Sequence, residues 1–549
     1  MHRSELCTVV GHVKARWGAP DRRASYHVDP PAPAAFSAAA RLPAALARVG
    51  RLGRVGTALV FVGLAVMLLP FADLGLGRHD PWAELGRMAT GFLSPDFTSI
   101  EALRWTAVLT AAFAICGVAL GASAGFVLAP FYRHGMVRNL CIAIRSIHEL
   151  FWAILLMQVT GLSATTGILA IAIPYAGIFA KVFAEYLDEA DARPAAAMPP
   201  RADLISVHFY ARLPLAWREF QTYLLYRLEC GLRSSAVLGF VGLPTLGFSL
   251  DTFFRQGMYG AVAAVLIIYY VLIGTMRLWM HRPLVPFYLL AAIAVMASIA
   301  SPPMAPGALA RFLTHDVVPA PLRSGDIGDL GTWARFGDWL SALLAGQALP
   351  GLAATLVVAQ LALVVAGLVA LIGFPTTVRP VAGRLGAAVG HVALVITRST
   401  PEYMLAYIAL QVFGPSMLPA VLALGLHNGA IIAHLLGRQS AHLHESLRPD
   451  APRGIVLYAY ELLPRIYGSF LALCLYRWEI IVRESAIIGL LGIPTLGFHV
   501  DRAVQEIRVD RAIVLLIVTM LATMAIDWVS RRTRASILPG RLGRNAAAE

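Results

Sequence analysis

Lysine is almost missing from this chain: Lys14 and Lys181 are the only two, so nearly all of the 45 basic residues are arginine. Charge of either sign is also scarce, at 14% of 549 residues, while 58% are hydrophobic and mean hydropathy is +0.68. So few charges cannot clothe a soluble globule of this length, and the natural solvent is a bilayer. The five cysteines (Cys7, Cys116, Cys141, Cys230 and Cys474) have no CxxC spacing, which argues against a disulfide framework or a zinc site. Neither lysine is preceded by glycine, so GxxxxGK[ST] is absent and no ordinary ATP site is possible. No Ser-His-Asp, Cys-His or paired-carboxylate set suggests catalysis, and no cofactor is expected. His442 and His444 lack a further ligand cluster, so no metal is expected either. The arginines lie in short clusters between apolar runs rather than on one polar face, which argues against nucleic acid.

What is present is a series of apolar runs. A hydrocarbon core about 30 Å thick needs roughly 20 apolar residues of helix. Runs of that kind predict about twelve spans: 55–74, 103–128, 140–160, 163–186, 220–242 and 258–276, then 284–300, 352–374, 388–413, 417–436, 470–491 and 512–529. Arginine clusters recur at every second connection, including Arg133 and Arg138, Arg193 to Arg212, Arg379 and Arg384, and Arg438 to Arg465. The positive-inside rule makes those connections cytoplasmic and puts both termini inside a multi-pass plasma-membrane protein. Residues 1–54 mix Arg, Ala and Pro without an apolar signal core, and read as a disordered cytoplasmic tail, with a second short tail at 536–549.

The chain repeats itself. Residues 234–251 read SSAVLGFVGLPTLGFSLD and residues 484–501 read ESAIIGLLGIPTLGFHVD, an offset of 250. Tyr226-Arg227-Leu228-Glu229 pairs with Tyr476-Arg477-Trp478-Glu479, and Arg145-Ser146-Ile147-His148-Glu149 with Arg398-Ser399-Thr400-Pro401-Glu402. Two units, 55–282 and 283–535, therefore hold six spans each. An even number makes both enter the membrane in the same sense, related by a pseudo-twofold axis along the membrane normal. Major-facilitator carriers share that gross plan, so an ion-coupled secondary transporter for a small anion stays open as the alternative. In this chain, however, the long cytoplasmic segments follow the fourth span of each unit rather than the centre.

A charge at the middle of a span costs about 2.5–3.5 kcal/mol on insertion scales, so each needs a partner or a wet path. The fifth spans carry Arg227, Glu229 and Arg233, repeated as Arg477, Glu479 and Arg483. The Glu-to-Arg spacing of four predicts an ion pair on one helix face, the structural reading; a cationic lining for an anion pathway is the functional one. Arg145, Glu149, Arg398 and Glu402 open the third spans, and Pro244 and Pro494 end helices before Thr-Leu-Gly-Phe. These six are candidate gate positions.

These motifs, once per unit, resemble the phosphonate-type (PhnE-like) permeases of ABC importers: Arg-Ser-Thr-Pro-Glu at 398–402 with its copy at 145–149, Ser-Ala-Val-Leu-Gly at 235–239 with Ser-Ala-Ile-Ile-Gly at 485–489, and the Gly-Phe endings at Phe248 and Phe498. The resemblance implies an all-α, type I importer permease fold and import of a phosphonate or similar small oxyanion. It also implies two copies of a separate ATP-binding subunit and a periplasmic substrate-binding protein as partners. It places ATPase-coupling positions at Ala195, Arg201 and Pro214 in the first long loop and at Glu445, Ala451, Gly454 and Pro464 in the second.

Overall fold

With no water in hydrocarbon to satisfy main-chain N–H and C=O groups, a chain this apolar must either close its hydrogen bonds within helices or form a closed barrel. It takes the first course. The computed structural model describes residues 53–75, 81–98, 103–191, 193–199, 202–203, 206–448 and 450–537, and among these every regular element is helical. The tails expected over 1–52 and 538–549, and Arg201, lie outside the described residues.

Among the described residues, eighteen helices of ten residues or more run in two sets of nine. The first set is α1 (Gly53–Leu68), α2 (Pro81–Leu93), α3 (Leu103–Leu128), α4 (Gly135–Ser146), α5 (Glu149–Thr160), α6 (Ala164–Glu189), α7 (Leu213–Val237), α8 (Leu246–Arg255) and α9 (Tyr259–Gly274). The second is α10 (Val285–Ser298), α11 (Leu330–Leu343), α12 (Leu349–Thr376), α13 (Arg379–Ser399), α14 (Glu402–Phe413), α15 (Leu418–Glu445), α16 (Leu463–Ile488), α17 (Leu496–Gln505) and α18 (Val509–Ile537). Helices α8 and α17 match end for end at the repeat offset, as do the wide-turn segments Val207–Arg212 and Leu457–Leu462 that lead into α7 and α16.

Among the described residues, seven helical stretches are long and apolar enough to cross a bilayer, or nine when each sharply bent pair is taken as one crossing, against the twelve expected. Helix α16 carries Arg465, Arg477, Glu479, Arg483 and Glu484, too many charges for an apolar span, while α9, α10 and α14 are apolar but short. The expected third spans, 140–160 and 388–413, are not continuous. Helices α4 and α5 meet at 92°. Ile147 and His148 are extended there, and the His148 ring Nδ1 caps α5 by accepting from the Leu150 amide at 3.2 Å. In the second set the break falls at Thr400-Pro401. Proline has no N–H to continue the ladder and forces the residue before it out of the helical region.

Three hydrophobic clusters organise the packing. One contains α3, α6 and α7 residues such as Phe113, Phe179 and Leu232, together with Ala292 and Met296 of α10. Another contains α12, α15 and α16 residues such as Phe374, Leu424 and Ile481, together with Ala65 of α1. The leading helix of each set therefore packs on the opposite set. Buried Gln360 of α12 fastens that exchange by donating to the Phe61 carbonyl of α1 at 2.8 Å, and Phe61 meets Trp478 edge to face at 4.9 Å. The third cluster joins both sets through α5, α8, α9, α14, α17 and α18.

Close approach between helices rests on small residues. Gly117, Gly121 and Gly125 of α3 lie against Ile171, Tyr175 and Phe179 of α6, where an added Cβ would come within 2.4–2.8 Å of those side chains. The tightest contact is at the start of α8, where a Cβ on Gly247 would fall 1.8 Å from the Ala236 carbonyl oxygen. Backbone cannot yield as a side-chain tip does. Gly247→Ala should therefore cost about 1–3 kcal/mol or more of stability, whereas Gly63→Ala, with nothing within 4 Å, should be neutral. Thermal unfolding of the two variants in detergent tests this; equal midpoints would refute the packing.

Candidate functional site

The ion pairs predicted by the four-residue spacing do not form: neither Glu229–Arg233 nor Glu479–Arg483 lies within ion-pair distance among the described residues. Both arginines turn to the opposite set instead. Arg233 Nη1 donates to the Arg398 carbonyl at 3.4 Å, and Arg483 Nη1 donates to the Arg145 carbonyl at 3.0 Å. Those carbonyls belong to the last turns of α13 and α4, where the helix leaves its C=O groups without partners and the macrodipole is negative. The breaks at Ile147-His148 and Thr400-Pro401 thus create the acceptors. A cation from across the interface fills each one.

Glu479 pairs elsewhere. Its carboxylate receives Arg145 Nη1 at 3.2 Å, while Arg145 Nη2 reaches Asp527 at 3.4 Å and Arg531 reaches the same Asp527 at 2.8 Å. The Arg145, Glu479 and Asp527 side chains are 12%, 12% and 5% exposed, so this cluster is held largely away from water. Sequence reasoning missed Asp527, although a lone acid inside the apolar run Leu521–Ser530 was a usable signal.

The two glutamates at the breaks each find a partner within their own set. Glu149 accepts from Ser234 Oγ at 2.6 Å and lies 3.3 Å from His148 Nε2. Glu402 lies 3.7 Å from Nε2 of His427, a residue that is 2% exposed. His427 Nδ1 meets the Thr400 carbonyl at 2.8 Å and so carries the proton, which leaves Nε2 to accept from Arg233 Nη1 at 3.5 Å. Glu484, standing where the first unit has Ser234, accepts from Asn428 Nδ2 at 2.9 Å. His427, Asn428 and Glu484 were also missed; the mismatch of Ser234 with Glu484 inside a strong repeat could have flagged the last.

These groups line a cavity of about 190 Å³ between α4–α7 on one side and α14–α18 on the other. Eight basic side chains and five acidic ones face it. Arg145, Glu149, Arg227, Arg233, Glu402, Arg477, Glu479 and Arg483 are among them; Glu229, Arg398, Pro244 and Pro494 are not. The prolines follow the left-handed Gly242 (φ 100°) and Gly492 (φ 88°) and precede α8 and α17, whose first amides are held by Thr110 and Thr355 hydroxyls at 2.9 and 3.0 Å. The apolar cluster shared by the two sets includes Phe240 beside Tyr403 (4.0 Å) and Phe254 beside Tyr407 (5.1 Å).

At the long loops, Ala195 lies in the short helix Arg193–Ala196 and Pro214 is the second residue of α7. Glu445 ends α15 with its side chain 78% exposed, the Ala451 amide closes a turn on the Arg448 carbonyl, Gly454 (φ 66°) opens a helical turn, and Pro464 is the second residue of α16. His442 meets only Glu445, at 3.8 Å, and no trio of metal-ligating side chains exists among the described residues.

Apolar helices packed around an internal ionic cavity suit a transport permease, and the relatives are permeases by name. The phosphite transport system permease protein PtxC of Stutzerimonas stutzeri is 30% identical over 194 residues, covering 34% of this chain and 70% of that relative. The phosphate-import permease protein PhnE of Mycolicibacterium smegmatis is 25% identical over 436 residues, covering 72% of this chain and 76% of the relative. The chain belongs to this phosphonate- and phosphite-type, PhnE-like family of ABC-system permeases. No family model matches it, and no solved structure matches it.

Removing Arg145 leaves buried Glu479 without its cation and Asp527 with Arg531 alone. Arg145→Gln should destabilise the protein by about 3–5 kcal/mol, and adding Glu479→Gln with Asp527→Asn should recover much of that loss. Detergent unfolding of the series decides it, and a single variant as stable as the parent would overturn the cluster's role. Across the apolar cluster, cysteines replacing Phe240 and Tyr403 in a chain cleared of its native cysteines should crosslink on oxidation and abolish transport, with recovery on reduction. Transport that survives crosslinking would show that this contact does not have to open.

Proposed function

We propose that this chain is the membrane-spanning subunit of an ATP-driven importer for a small phosphorus oxyanion, handed to it by a periplasmic binding protein. The observation that carries the reading is the cavity between the two sets of helices, which presents eight basic side chains against five acidic ones. A net positive, water-poor cavity attracts an anion strongly because the surrounding low dielectric screens little. Family membership supplies the rest: relatives named for phosphate import and phosphite transport extend over most of their own length.

Residues 55–282 and 283–535 act as two permease units in tandem, with cytoplasmic flanks at 1–54 and 536–549. Twelve crossings in the inner membrane are related by a pseudo-twofold axis along the membrane normal, as in a type I importer permease, with both termini in the cytoplasm. Three features support this. Helices α1 to α9 recur in order as α10 to α18. PtxC, aligned over 70% of itself but 34% of this chain, is about half as long. Arginine clusters recur at alternate connections.

The two long loops act as docking surfaces for two copies of an ATP-binding subunit, whose hydrolysis drives transport. Each loop ends on an exposed tyrosine one repeat apart, Tyr210 at 79% and Tyr460 at 78%; the coupling positions are Ala195, Arg201 and Pro214 in the first loop and Glu445, Ala451, Gly454 and Pro464 in the second. Exposed aromatics of this kind suit an interface core. Native mass measurement of the purified transporter should therefore find one copy of this chain with two ATPase subunits. Two copies of this chain per ATPase pair would reject the tandem reading.

A further inference from the structure

The cavity arginines are not equivalent in what they already bind, and the difference separates structural cations from free ones. Arg145 is engaged by Glu479 and Asp527, and Arg531 by Asp527. Arg233 and Arg483 are spent on the carbonyls of Arg398 and Arg145. Among the described residues, the repeat-related pair Arg227 and Arg477 has no carboxylate within 4 Å. Arg227 donates from Nε to Tyr223 OH at 2.8 Å and lies over the rings of Tyr223, Tyr175 and Tyr226 at 5.3–5.9 Å, contacts that leave its outer N–H fork unneutralised. Arg477 reaches only the Asn428 amide oxygen, at 3.5 Å, and the same amide's NH2 group already satisfies Glu484. Asn428 thus bridges the cation and Glu484, one end of its amide on each.

We propose that Arg227 and Arg477 form the anion-binding site of the cavity, taking a tetrahedral phosphorus oxyanion between two guanidinium forks, while Arg233 and Arg483 are positioning residues that hold the two units together. This rests on the permease reading above. A guanidinium presents parallel N–H donors that match two oxygens of such an anion, and a tetrahedral group offers a second oxygen pair to a fork on another side. Equivalent positions in the two units put one fork on each wall of the same cavity. The tyrosines around Arg227 hold its orientation without cancelling its charge, as a carboxylate would.

The test uses the purified full-length chain in nanodiscs, without the ATPase, titrated calorimetrically with inorganic phosphate, phosphite and methylphosphonate. Arg227→Gln and Arg477→Gln should each weaken binding roughly tenfold or more, the usual loss for a charge-assisted hydrogen bond, with unfolding midpoints near the parent's. Arg227→Lys should restore affinity only in part, because a point charge replaces a fork. Arg233→Gln and Arg483→Gln should instead lower the unfolding midpoint. Unchanged affinity in both Arg227→Gln and Arg477→Gln would overturn the assignment, as would loss of binding in Arg233→Gln at parental stability. Because a lipid headgroup offers the same phosphate chemistry, a short-chain phosphatidic acid is titrated in competition; displacement by it but not by the three small anions would assign the site to lipid and also overturn the proposal. Failure of the parent chain to assemble with an ATPase would sink the permease reading, yet leave these binding results standing.

Discussion

A guanidinium on a main-chain carbonyl across the interface is the contact on which the rest of this molecule depends. Arg233 meets the Arg398 carbonyl and Arg483 meets the Arg145 carbonyl, so each set of helices supplies the cation that completes a helix end in the other. The carbonyls are free only because α4 and α13 stop at these breaks, and stopping there is tolerable only because the arginines arrive. Neither feature is stable alone. The arrangement also explains why the third spans are broken rather than continuous: a continuous helix would bury those carbonyls in its own ladder and leave two arginines without acceptors.

Once the breaks exist, they shape the cavity. The chain turns by 92° at Ile147-His148, carrying Glu149 inward to Ser234, and the Pro401 turn carries Glu402 toward His427. The carboxylates that enter this way are fewer than the cations already present, which leaves the lining net positive. On another face the two sets meet through aromatic and aliphatic contacts such as Phe240 with Tyr403. An ionic chamber bounded by an apolar seal is the expected geometry for a pathway that must exclude leakage, because opening an apolar contact exposes no unpaired charge.

Much of this was legible in the sequence and some was not, for physical reasons. The repeat, the membrane class and the choice of Arg227, Arg233, Arg477 and Arg483 as candidates, all four of which line the cavity, followed from an offset of 250 and from charges in apolar runs. Their partners did not follow. Spacing reports neighbours along one helix, so Glu479 and Arg483 looked like a pair, whereas Arg145 lies more than 300 positions away and wins Glu479 by tertiary placement. The break before Glu402 had a proline to announce it; the one before Glu149 had His148, whose ring imitates a capping residue and carries no such mark. Packing of α1 on the second set and α10 on the first was invisible too, since both are simple apolar runs that fit any apolar surface.

Divergence between the repeats is where a single chain differs from two identical ones. In the proposed tandem arrangement, Glu484 replaces what Ser234 is in the first unit, Asp527 stands where the first unit has Arg277, and Arg227 sits among tyrosines while Arg477 sits beside Asn428. A symmetric pair of chains would have to duplicate each choice. Two copies of Glu484 would add a negative charge to a chamber that must hold an anion, and two copies of Ser234 would leave Asn428 without its acid. Fusion removes that constraint: the pathway keeps one acid-braced wall and one tyrosine-braced wall, with the cationic surplus between them.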